Sequence, residues 1–101
     1  MIDFRKLQLE IREWEKHNFP DATAVDQLLG VAEEVGELCH AVLKFNQKIR
    51  AGAGRVETWN LIRDAVGDVV IFLTNFCDML GIDFAEVVEE TWVTYRDWET
   101  Q

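Results

Sequence analysis

Positive charge is what this chain lacks most. Ten lysines and arginines stand against nineteen aspartates and glutamates, a formal net charge of -9. So acidic a surface disfavours nucleic acid and anionic membranes as partners, because binding phosphate backbones or headgroups needs a basic footprint. It suits cations, or a substrate that arrives carrying them. Cysteine is scarce as well. Cys39 and Cys77 each sit in an apolar helical pattern and read as two buried free thiols, not as a disulfide scaffold. Neither makes a zinc pattern with His17 or His40, since no Cys-x-x-Cys or His-x3-His spacing is present. The first residues are charged and carry no secretory leader pattern. The longest apolar run is interrupted by Asp68 and Asp78, which excludes a membrane span. A soluble, cytoplasmic protein is expected.

Strand-like alternation, internal repeats and low-complexity tracts are also missing, and the periodicity is helical throughout. One domain over residues 1–101 is predicted, with hydrophobic residues at 49% and four tryptophans to pack it. A chain this short also gains from oligomerisation. The first helix is expected from about Asp3 to His17, with Phe4, Leu7, Ile11 and Trp14 on its apolar face. Asn18-Phe19-Pro20-Asp21, which holds the single proline, breaks it. The second runs from about Ala24 to Phe45 or Ile49, with Thr23 as N-cap and Asp26 closing a capping box. Its stripe is Leu28, Val31, Val35, Leu38, Cys39, Val42 and Phe45. Residues 51–54 are a glycine-rich loop. A third helix spans about Glu57 to Leu80 and ends at Gly81. Asp83 caps a fourth, where Phe84, Val87, Val88, Trp92 and Tyr95 share a face. Four helices with short connections predict an all-α fold, an antiparallel four-helix bundle.

Acidic residues occur where that fold should not tolerate them alone. Asp68 lies in the most apolar stretch of the chain, Ala65-Val66-Gly67-Asp68-Val69-Val70-Ile71-Phe72-Leu73. Read as a helix, this segment is apolar nearly all round, so Asp64, Asp68 and Asn75 are expected inside. Taking an ionised carboxylate out of water costs roughly several kcal/mol or more unless it is paired or bound to metal. On the second helix Glu33, Glu34 and Glu37 fall at spacings that let their side chains converge. If the two helices meet along these edges, carboxylates about 4 Å apart repel by roughly 4 kcal/mol at an effective dielectric near 20. Mg²⁺ or Mn²⁺, hard cations that prefer oxygen ligands, would relieve that repulsion. Magnesium commonly couples protein carboxylates to phosphates. Lys44, Lys48, Arg50 and Arg55, four of the ten basic residues, gather beside this region and could hold phosphate oxygens. Gly36 and Gly67 each directly precede a proposed ligand and are expected to let the helices approach closely.

The string Glu33-Glu34-Val35-Gly36-Glu37, followed by Arg63-Asp64-Ala65-Val66-Gly67-Asp68, resembles the MazG-like nucleotide pyrophosphohydrolases of the all-α NTP pyrophosphatase superfamily. The resemblance extends to Leu80-Gly81-Ile82-Asp83 and to Tyr95-Arg96-Asp97-Trp98. It implies Mg²⁺-dependent hydrolysis of a nucleoside triphosphate to monophosphate and pyrophosphate, in a homodimer or homotetramer. By position Glu34, Glu37 and Asp68 match metal ligands, and Glu33 matches a residue that orients or deprotonates water, a role open to Glu34 as well. Lys44, Asn75 and Arg96 are candidate substrate contacts, and Trp14, Phe19, Trp59, Trp92 and Trp98 candidate base-stacking rings. One position departs from the pattern: Ala65 stands where the family's Glu-x-x-Asp glutamate belongs, with Asp64 beside it as a substitute.

Two other readings compete. Glu37-x-x-His40 has the spacing of a di-iron ligand pair, but such sites need the motif on two helices, and the third helix has no histidine. A non-catalytic acidic bundle that docks another protein requires neither metal nor turnover.

Overall fold

A computed structural model describes the backbone of residues 2–51 and 55–99 and the side chains of residues 2–47 and 56–98. The described chain is all-helical: α1 (Phe4–Asn18), α2 (Ala24–Ala51), α3 (Arg55–Met79) and α4 (Phe84–Glu99). Local chemistry sets the boundaries. Asp3 caps α1 by accepting from the Arg5 and Lys6 N–H groups at 3.0 and 3.3 Å. Thr23 and Asp26 form the capping box of α2. The Asp26 N–H donates to Thr23 Oγ1 at 3.2 Å, and the Thr23 N–H donates to the Asp26 carboxylate at 2.9 Å. Gly81, with φ at +73°, ends α3. There the Ile82 N–H reaches the Cys77 carbonyl at 2.8 Å and the Gly81 N–H reaches that of Asp78 at 3.0 Å, a Schellman closure. Asp83 then accepts from the Glu86 N–H at 3.1 Å and starts α4. Helix also occupies part of the expected loop, since α2 runs on to Ala51 and α3 begins at Arg55. Residues 52–54 lie outside the described residues.

The main pairing is α2 on α3. Gly30 meets Phe72 and Phe45 meets Trp59, so positions rise along one helix as they fall along the other, and the pair is antiparallel. Among the described residues α2 packs on α3 alone, while α1 lies across the end of α3 and the start of α4. A polar clamp fixes that junction. Asp78 accepts from Arg12 Nε at 2.9 and 3.0 Å, from Arg12 Nη2 at 2.6 Å and from Gln8 Nε2 at 3.2 Å. Gln8 also donates to the Ile82 carbonyl and accepts from the Phe84 N–H, both at 2.9 Å. It thereby satisfies groups that the α3–α4 turn leaves open.

Several expectations about burial are corrected. α3 is not enclosed: Leu61, Val66 and Ile71 are exposed, and so are Asp64 and Asp68. Of the three polar residues expected inside, only Asn75 is buried. The reason is that nothing among the described residues covers that side of α3, for α4 turns away from it by 106°. α2 presents a face rotated from the expected stripe, of which Val31, Leu38 and Phe45 stay half-buried. Gln27 and Ala41 are buried and Glu34 is half-buried, while Leu28, Val35, Cys39 and Val42 are exposed. α1 is likewise rotated, burying Gln8, Ile11 and Glu15 while Phe4 and Trp14 lie at the surface. On α4 only Phe84 of the expected apolar face is buried; Val87, Val88, Trp92 and Tyr95 are exposed.

Candidate functional site

Turning Glu34 toward α3 brings the acidic residues of the two helices to one groove. A cavity of about 520 Å³ is lined by Glu34, Glu37, His40, Ala41 and Lys44 from α2 and by Thr58, Leu61, Asp64, Ala65 and Asp68 from α3. Four predicted metal ligands and the predicted phosphate-binding lysine therefore share one concavity. Burial raises the pKa of the Glu34 carboxyl, and the charges of Asp68, Glu33 and Glu37 push it the same way. Asp68 thus acts on Glu34 from the opposing helix.

The donor set suits a hard divalent cation. It offers carboxylate oxygens from two helices, and neighbouring negative charge already disfavours the ionised form of Glu34. The oxygens are not yet gathered, however. Among the described residues no three His, Cys, Asp or Glu side chains form a group able to hold a metal ion. Glu37, Asp64 and Asp68 are exposed and free to rotate toward one, whereas a preformed cage is absent among the described residues. Ala65, buried, lines the same cavity and adds only a methyl group to its acidic wall.

A second cavity of about 480 Å³ adjoins the first through Asp68, which lines both. Its other walls are Trp14, Glu15 and Phe19 from α1 with its C-cap, and Ile71 and Phe72 from α3. The Trp14 and Phe19 rings sit 5.7 Å apart, tilted by 58°. Both cavities are of a size that holds small organic ligands.

Other predicted residues lie elsewhere. Glu33 is exposed and does not line either cavity. Asn75 is buried outside them, its Nδ2 lacking a hydrogen-bond partner among the described residues. Arg96 is on α4, exposed, with its Nε 3.7 Å from Asp97. Trp59 packs on Phe45, and Trp92 and Trp98 are exposed on α4. The side chains of Lys48, Arg50 and Arg55 lie outside the described residues.

The expected role of Gly36 and Gly67 is corrected too, for a Cβ added at either would meet nothing within 4 Å. Close approach occurs instead at Gly30, where an added Cβ would stand 2.4 Å from the Phe72 ring. The rotation of α2 explains this, because it puts Gly30 and Glu34 on the inner face. Sequence reasoning also passed over Glu15, Thr58 and Leu61 in these cavities, and weighed His40 only as a zinc or iron ligand. For Glu15 a signal existed: it follows Ile11 by four residues and so continues the buried face of α1.

Compared with protein-family models, curated proteins and solved structures, the chain matches none. The chemistry of the groove and its neighbour therefore carries the functional reading.

Proposed function

We propose that the chain is a MazG-like pyrophosphohydrolase of the all-α NTP pyrophosphatase type, cleaving a nucleoside or deoxynucleoside triphosphate into monophosphate and pyrophosphate with Mg²⁺ or Mn²⁺. The observation that carries this reading is Asp68 at the seam of two unlike cavities. One offers carboxylates and a lysine, matching metal-bound phosphates. The other offers aromatic walls, matching a base. A nucleotide has those two ends.

Glu34, Glu37 and Asp68 would hold the metal, with Asp64 lining the same cavity. When bound, the metal neutralises phosphate oxygens and makes a water more acidic. Lys44 Nζ pairs with the phosphate chain from the far end of the groove. A Glu34 carboxylate oxygen not engaged by the metal would take the proton of the attacking water. That water's oxygen forms the new bond to the α-phosphorus, the α–β bridging P–O bond breaks, and pyrophosphate leaves. Glu33, beside Glu34 and open to solvent, tunes that basicity through its charge.

A homodimer or homotetramer belongs to the same reading. The chain exposes 7758 Å², against about 5,900 Å² expected for its 11.7 kDa. The excess is on the order of 1,900 Å², more than the roughly 800 Å² each partner buries in a standard interface. A second copy laid on the uncovered faces of α3 and α4 would complete the antiparallel bundle and shelter the acidic groove.

The same exposed surface, together with the methyl of Ala65 in the groove, favours the second reading, a non-catalytic acidic bundle that docks another protein. The deciding experiment is pyrophosphate release from a panel of nucleoside triphosphates with Mg²⁺ and with Mn²⁺. Turnover is expected, and Glu37→Gln and Asp68→Asn should each remove it while helicity stays intact. Full activity in either variant overturns the site. No turnover of any nucleotide, with no thermal stabilisation by either metal, leaves the docking module.

A further inference from the structure

Glu15 is a carboxylate placed where none is needed to build the fold. It is only 9% exposed, and its Oε2 is buried without a hydrogen-bond partner among the described residues. Of the cations flanking it on α1, Arg12 is engaged by Asp78 on the other side of the junction and Lys16 is exposed. Burial pushes the Glu15 carboxyl up from its ordinary pKa, with no ion pair to offset it. Buried polar side chains are nearly always hydrogen-bonded, so a lone acceptor of this kind marks a place where a partner is missing. It also lines the cavity bounded by Trp14, Phe19, Ile71 and Phe72.

The walls define what that partner is. Flat apolar rings favour a planar aromatic ligand. A carboxylate oxygen accepts hydrogen bonds and offers none, so the ligand must present an N–H. An aliphatic amine would satisfy the oxygen but leave the rings idle. Resting on the nucleotide reading of the adjoining acidic groove, we infer that Glu15 is the base-selecting residue: its carboxylate turns into the cavity it lines and accepts a hydrogen bond from the exocyclic amino group of a base held against these rings. Bases that carry an amino group are then preferred over counterparts with a carbonyl at the same position. A carbonyl oxygen at that position would set lone pairs against lone pairs, and the oxo base would have to shift in the cavity to offer its neighbouring ring N–H instead. Sites built to hydrogen-bond one substrate group reject the analogue lacking it far more strongly than apolar pockets sort by size.

Two substrate pairs isolate the effect, dCTP with dUTP and dATP with dITP, each differing by amino against oxo on the pyrimidine ring. For the full chain with Mg²⁺, kcat/KM is expected to favour the amino member of each pair by at least about tenfold. Glu15→Gln, nearly the same shape but able to donate as well as accept, should bring both ratios toward one, chiefly by improving the oxo substrates. The variant should also melt at a higher temperature than the parent without nucleotide, because an unpaired buried carboxylate has been removed. Wild-type ratios near one, ratios unchanged in Glu15→Gln, or a lower melting temperature in the variant would each overturn the inference. Calorimetry with the α,β-methylene analogues of dCTP and dUTP separates it from the hydrolase reading. If no nucleotide is hydrolysed but the dCTP analogue binds more tightly than the dUTP analogue, and only with Glu15 present, base selection stands and hydrolysis fails. Hydrolysis without discrimination keeps the hydrolase and overturns base selection. Neither hydrolysis nor binding removes both.

Discussion

Asp78→Asn probes the junction that carries α1 onto α3, and with it three walls of the aromatic cavity. The Asp78 side chain is 9% exposed and accepts from both Arg12 and Gln8. Removing one partner of a buried ion pair costs about 3–5 kcal/mol when the remaining charge is trapped. Here the remaining charge is not trapped, since the Arg12 side chain is 39% exposed and regains water. The expected loss for the Asp78 substitution is therefore about 2 kcal/mol, near the value of hydrogen bonds to a charged group. Urea denaturation followed by circular dichroism, at one fixed protein concentration, measures it. The pH dependence gives a second reading of the same clamp. Arg12's hydrogen bond holds the Asp78 carboxyl below the ordinary carboxylate range; burial opposes this and Gln8 adds to it. The folded state thus keeps Asp78 ionised where the unfolded chain would protonate it. Its contribution is complete above the unfolded value of about pH 3.9 and drains away as the pH falls from there through the lower folded value. The gap in stability between parent and variant should be widest near neutral pH and narrow in acid. A variant as stable as the parent at pH 7, or a gap that widens in acid, would refute the assignment of the clamp.

Other outcomes follow from the same geometry. Gly30→Ala drives a Cβ into the Phe72 ring, and the overpacking cost of about 1–3 kcal/mol outweighs the gain of about 1 kcal/mol in helix propensity. Gly36→Ala meets nothing and should stabilise the chain by about 1 kcal/mol, so melting curves of the two variants should move in opposite directions. Sedimentation equilibrium at micromolar concentration should give two or four times the 11.7 kDa chain mass. A clean monomer there would leave the exposed apolar faces of α3 and α4 without their expected cover.

The caps were legible because capping is local. Thr23 with Asp26, Gly81 and Asp83 each act through hydrogen bonds that span a few residues, whereas Asp3, expected as the first helical residue, is the cap of α1. The acidic groove was legible for a related reason: Glu34, Glu37, Asp64 and Asp68 lie at helical spacings along two neighbouring helices. Burial was harder to read. α2 has two plausible inner faces, an apolar one through Leu28, Val35 and Val42 and a mixed one through Gln27, Glu34 and Ala41, and the mixed face is the one that meets α3. Nothing local decides between them, since the choice depends on the surface of the opposing helix.

By itself, then, the sequence determined an all-helical chain of four segments, the start of the second and fourth and the end of the third, and which acids share a helix edge. Tertiary structure alone decided that Gly30, not Gly36 or Gly67, is the point of close approach. It alone placed Asp68 between two cavities and left Glu15 buried without a partner among the described residues. Those facts depend on how one helix rotates against another, and that rotation is set by side chains distant in sequence.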